Sequence, residues 1–109
     1  MLSQTLSGAT SFPGLVLKAW AQVSSAGTLI KGFNVTSITK GGAGIYTLNF
    51  TGSMASTNYI AKLQHATGAS VYSNGIWAAN SQLVGSMNYT TYNSVATANN
   101  TPHFIEVWE

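Results

Sequence analysis

Acid–base or metal chemistry in this chain would have to come from two histidines and two carboxylates, His65, His103, Glu106 and Glu109. Glu106 and Glu109 stand three residues apart. On a strand, where side chains alternate, that odd separation sends them to opposite faces, and no other acid exists to complete a hydrolytic pair. His65 and His103 have no Asp or Cys beside them to build a metal shell. A threefold axis would gather three copies of one histidine, but structural histidine is the simpler reading of both. The many serines have neither a nucleophile-elbow motif nor an acid placed to orient a base. The expectation is a protein that is not an enzyme and needs no cofactor or metal. Three triplets, Asn34-Val35-Thr36, Asn49-Phe50-Thr51 and Asn88-Tyr89-Thr90, match the glycosylation pattern, but the first two fall in predicted strands and such triplets arise by chance in a chain this rich in Asn and Thr.

What remains is contact chemistry, carried by aromatic side chains. Trp20, among polar neighbours on its strand face, is either a core-edge aromatic, the commoner outcome, or an intersubunit contact; Trp108, in the apolar closing strand, is expected at a partner contact. Trp77, Tyr89 and Tyr92 fall in or near polar loops, where their rings would stack on a host-surface glycan. Leu2, Leu6 and Phe12 are spaced through an arm of Ser, Thr, Gly and Gln that ends at the turn signal Pro13-Gly14. Two readings of this arm compete: a disordered terminus, or an extended strap that orders against a neighbour and uses those three side chains.

The elements that must position these residues are strands. In Phe33–Phe50, Phe33 and Val35 alternate with Asn34 and Thr36, and Tyr46, Leu48 and Phe50 alternate with Thr47 and Asn49. Gly41, Gly42 and Gly44 let the chain reverse between them, so the stretch predicts a β-hairpin that brings Phe33 and Val35 towards Leu48 and Phe50. An isolated hairpin is marginal in water and requires a second layer. Before it, Leu15–Val23 sets Lys18, Trp20 and Gln22 against Leu17, Ala19, Ala21 and Val23, Ser24–Thr28 makes a turn, and Gly32 marks a bulge or bend. After it come a polar loop around Met54, an alternating strand at Tyr59–His65, short pieces at Val71-Tyr72 and Ile76–Ala78, a strand near Met87–Tyr92 and an exposed loop at Ala96–Thr101. His103–Trp108 closes the chain, with Phe104, Glu106 and Trp108 facing one way and His103, Ile105 and Val107 the other. No segment has a helical period. About six to eight short strands predict an all-β fold, an antiparallel β-sandwich or barrel over residues 15–109, preceded by the arm at 1–14.

Composition narrows the function. At 109 residues the chain is one domain of marginal stability by itself, so assembly would help it. Cysteine, Arg and Asp are absent, and only 6% of residues are charged, against an ordinary share of about 25%. Its 13 Ser, 13 Thr and 9 Asn cover the surface instead, which suits a protein packed into a dense assembly. The formal charge of +2 reflects scarce acids and four dispersed lysines, which cannot neutralise a run of phosphates; nucleic acid is not an expected partner. No apolar run is long enough for a membrane span, and Met1–Val23 lacks the basic start and apolar core of a signal peptide.

The order Ala19-Trp20, Ala26-Gly27-Thr28, Phe33-Asn34-Val35 with Ser37-Ile38, Gly44, Tyr46-Thr47-Leu48-Asn49-Phe50 and Asn58-Tyr59 resembles a module of tailed-bacteriophage virion proteins, found in the C-terminal part of tail fibres and in short free-standing phage proteins. The resemblance spans Ala19 to Tyr59. It departs from the pattern at Lys40 and the glycine run, where the module often has an acidic or polar turn, and Ala61–Glu109 does not match it. The resemblance implies an all-β virion component, usually a homotrimer, without a catalytic site. The free-standing length favours a capsid decoration (cement) protein, whose partners are the major capsid protein or other virion subunits. The alternatives are a tail-fibre or tail-spike tip that binds the host surface and, outside phages, a carbohydrate-binding module.

Overall fold

Hydrophobic alternation at a period of two builds eight strands in the computed structural model, which describes residues 14–65, 77–92 and 97–109. They are β1 (Leu17–Val23), β2 (Leu29–Phe33), β3 (Val35–Lys40), β4 (Ile45–Phe50), β5 (Ile60–His65), β6 (Trp77–Gln82), β7 (Ser86–Thr91) and β8 (His103–Trp108). They form two four-stranded antiparallel sheets. Sheet A has the order β2-β1-β8-β5 and sheet B the order β3-β4-β7-β6, the arrangement of a β-sandwich. No helix occurs among the described residues. The arm residues Leu2, Leu6 and Phe12, and the pieces Val71-Tyr72 and Ile76, lie outside the described residues.

The core forms where the inward-facing residues of both sheets meet: Ala19, Ala21 and Val23 from β1, Tyr46, Leu48 and Phe50 from β4, Met87 and Tyr89 from β7, Ile105 and Val107 from β8. Met54 rises from the polar loop after β4 into this core, its backbone N–H donating to the Val84 carbonyl (2.8 Å). The closing strand β8 is central in sheet A, between β1 and β5, with His103, Ile105 and Val107 on its buried face and Phe104, Glu106 and Trp108 on the other.

The predicted hairpin is β3–β4, with Val35 opposite Phe50 and Ile38 opposite Leu48. Phe33 departs from the expectation. It belongs to β2 and sheet A, because Asn34 adopts φ 57° and turns the chain from one sheet into the other. Asn tolerates this left-handed conformation better than other side-chain-bearing residues. The Asn34 side chain also ties the corner down: Nδ2 donates to the Lys18 and Gly52 carbonyls (3.0 and 3.1 Å), and Oδ1 accepts from Gly52 N–H (2.7 Å).

The loop expected to be exposed before β8 keeps Thr97 and Asn100 at the surface, yet hydrogen bonds dock it on the sandwich. Thr91 donates its hydroxyl to the Asn99 carbonyl (2.7 Å), the Gly44 N–H donates to Asn100 Oδ1 (2.7 Å), and Thr101 is buried. Polar residues are held there by specific hydrogen bonds to β7 and the β3–β4 turn, a form of packing that composition does not reveal.

Candidate contact surface

The two outer faces of the sandwich carry different chemistry. On sheet B most outward residues of β3, β4, β6 and β7 are Ser, Thr and Asn, with Ile45 and Ala78 among them, and several of the polar groups bond to one another. Asn49 Nδ2 donates to Ser37 Oγ (3.1 Å) and Thr39 Oγ1 (2.9 Å), and Asn88 Nδ2 donates to Thr47 Oγ1 (2.9 Å). Asn80 Nδ2 donates to Asn88 Oδ1 (2.8 Å) and Thr90 Oγ1 (2.7 Å). This ladder crosses all four strands.

On sheet A the register sets Phe33, Trp20, Glu106 and Lys62 in one row across β2, β1, β8 and β5, and Lys31, Gln22, Phe104 and Gln64 in the next. Because Ala19, Ala21, Ile105, Val107 and Leu63 point into the core, these residues point out. Phe33 is 53% exposed, Phe104 39% and Ile60, at the end of β5, 48%. Trp20 is half-buried beside them. Trp108 lies on the same face but is 7% exposed, its indole Nε1 donating to Glu106 Oε1 at 3.3 Å. It supports the face more than it offers a surface, a correction to its expected role as a partner contact.

The residues expected to hold a glycan do not form a platform. Tyr89 is fully buried; its ring stacks on Tyr46 at 5.6 Å and meets Trp77 edge-on at 6.4 Å. The strand expected near Met87–Tyr92 is β7, and its alternation turns Asn88 outward and Tyr89 inward, out of reach of a glycan. Trp77 is half-buried against the core, and Tyr92 is half-buried where it bridges to Ala98.

The ionisable groups are held as structural parts. His103 Nδ1 lies 2.8 Å from the Thr101 carbonyl, which requires a proton on Nδ1, so Nε2 accepts from the Tyr89 hydroxyl at 2.7 Å. Burial lowers the imidazole to about 4, with His65 opposite it in the register adding to the effect. The same burial raises the phenols of Tyr46 and Tyr89 and takes Tyr59, whose hydroxyl meets the Leu83 carbonyl at 2.8 Å, up to about 12. Glu106 faces out from sheet A. Glu109 Oε2 accepts the backbone N–H groups of Ala55 (2.8 Å) and Ser56 (3.2 Å), so the two carboxylates do not act as a pair. Among the described residues no three His, Cys, Asp or Glu side chains gather as a metal site, and no helix is long and apolar enough to cross a membrane.

Phe33, Phe104 and Ile60 are the surface residues that sequence reading missed. The Asn34 corner is the signal that would have moved Phe33 from the hairpin's core face to the outside of the other sheet. No family model, curated protein or solved structure matches the chain.

Proposed function

We propose that this chain is a non-enzymatic structural protein of a tailed-bacteriophage virion, a capsid decoration protein that assembles as a homotrimer and stabilises the shell through subunit contacts. The observation that carries the reading is the contrast between the two outer faces: one closed by its own hydrogen bonds, the other presenting aromatic and charged side chains outward. A protein of this kind acts by burying surface. Aromatic side chains such as Phe33 and Phe104 are the groups that supply contact energy when a neighbour covers them. The fibre-tip and carbohydrate-binding readings lose Tyr89 to the core and are the weaker ones.

The test is to label purified virions with antibody against the chain and to count its copies relative to the major capsid protein. Hundreds of copies over the head are expected. A few copies confined to the tail would replace decoration with the fibre reading, and virions without the chain would refute both.

A further inference from the structure

We infer that copies of this chain pack on one another through the outer face of sheet A, with Phe33, Trp20 and Phe104 as anchors. The inference rests on the self-assembly part of the proposed function and is independent of where in a virion the protein sits.

The face has the anatomy of a protein–protein contact. Its central strands β1 and β8 carry Trp20, Gln22, Phe104 and Glu106, while Lys31 and Lys62 stand on the edge strands β2 and β5. Trp20 and Phe104 in the middle and long cations at the rim follow the usual division of such surfaces, with Phe33 beside Lys31 on the edge strand β2. Phe33 and Phe104 leave 53% and 39% of their surface in water, a large share for side chains that bury roughly 150–250 Å² when covered. The opposite sheet has no comparable need, since its outward Asn, Thr and Ser groups are already bonded to one another.

Charge selects a second copy as the occupant. Glu106 sits among the aromatic residues, and Lys62 is its cross-strand neighbour in the register. Both signs therefore lie on one face, and around a threefold axis each copy can set its Lys31 or Lys62 beside the Glu106 of one neighbour while offering its own Glu106 to the other. Four strands about 4.8 Å apart and some six residues long, at about 3.3 Å each, give a footprint of roughly 400 Å². That is small beside the ~800 Å² per partner of a standard interface, so micromolar association is expected rather than nanomolar.

Sedimentation velocity of the full chain, from about 5 to about 200 µM, tests this in the range where such a contact forms. The wild type is expected to shift to an oligomer with concentration. Phe104→Lys and Phe33→Ser, both at outward positions, should each weaken association by about tenfold or more with an unchanged circular dichroism spectrum, as expected for aromatic anchors. Thr47→Lys, on the outer face of sheet B, should associate like the wild type. A wild type that stays monomeric throughout overturns the inference and the self-assembly reading together, leaving the face to a foreign protein or a glycan. A wild type that associates while Phe104→Lys and Phe33→Ser associate equally well overturns this face alone and leaves self-assembly standing.

Discussion

Lowering the pH from 7.5 to 5 should destabilise this protein by about 2 kcal/mol through a single buried side chain, His103. Its imidazole is fully buried and neutral, donating from Nδ1 to the Thr101 carbonyl and accepting at Nε2 from Tyr89. The groups packed against it are the rings of Tyr46 (4.7 Å) and Tyr89 (5.4 Å) and the cross-strand His65. The phenols are pushed upward and stay neutral, so none of these offers a negative charge to an imidazolium. Burial, opposed only in part by the Thr101 carbonyl and reinforced by His65, holds the folded-state value near 4. In the unfolded chain it returns to about 6.5. The folded state therefore binds fewer protons than the unfolded state below pH 6.5. The stability is fully present above that value, is lost as pH falls from about 6.5 to about 4, and does not decline further below. At pH 5 the unfolded chain is favoured by a factor of roughly 30 relative to pH 7.5, which is the 2 kcal/mol stated. Because 1 kcal/mol moves Tm by about 4–8 °C in a domain near this size, thermal unfolding followed by circular dichroism should show a drop of roughly 10 °C. With only two carboxylates in the chain, ordinary acid destabilisation has few groups to act through. His103→Gln should be less stable at pH 7.5 but show a much shallower pH dependence. A wild-type Tm that is the same at both pH values, or a His103→Gln variant with the full drop, would refute the reasoning.

Two backbone positions yield further expectations, each read by urea unfolding. Asn34→Ala should lose about 3 kcal/mol, since it removes the bonds to Lys18 and Gly52 and places an ordinary side chain at φ 57°; Asn34→Gly should recover about 1 kcal/mol of that by relieving the backbone alone. An Asn34→Gly variant as stable as the wild type would show that the side-chain bonds contribute nothing. Gly44→Ala should lose about 3 kcal/mol or more, because a Cβ there meets the Asn99 nitrogen and the Thr91 oxygen at 2.6 Å, whereas Gly14→Ala, at φ +82° with nothing within 4 Å among the described residues, should lose only about 1 kcal/mol. Equal losses at the two glycines would mean that φ alone, and not the docking of residues 97–101 on the turn, sets the requirement at Gly44.

Much of the architecture was legible in the alternation of side chains. Ala19, Ala21 and Val23 were read on one face of β1, Leu63 and His65 on one face of β5, and His103, Ile105 and Val107 on one face of β8, and all of them are buried. The signal is strong there because each strand has one covered face, and a slip of one residue would expose the whole set. It failed where hydrogen bonds rather than burial decide position. Residues 97–101 have no apolar pattern, yet Thr91, Gly44 and the Asn99 backbone fix them against the sandwich. The strand near Met87–Tyr92 was expected, but Tyr89 was given an exposed ring because its neighbours Asn88 and Thr90 are polar; they form the outward ladder while Tyr89 faces the core.

The contact face was hidden by the geometry of a single residue. Alternation states which side chains share a face, but not which sheet a strand joins, and Phe33-Asn34-Val35 reads as one continuous strand until Asn34 is given a positive φ. With that turn in place, Val35 remains on the inner side of sheet B while Phe33 moves to the outer side of sheet A, opposite Trp20. Trp20 then has an aromatic neighbour on β2 and Glu106 on β8, and Phe104 lies one row along. What looked like an isolated Trp among polar residues becomes the middle of an aromatic surface. The same Asn34 side chain that holds the two sheets together thus also assembles the surface through which copies are inferred to meet, so Asn34→Ala should weaken self-association as well as folding. A variant that is destabilised but associates normally would separate the corner from the contact face.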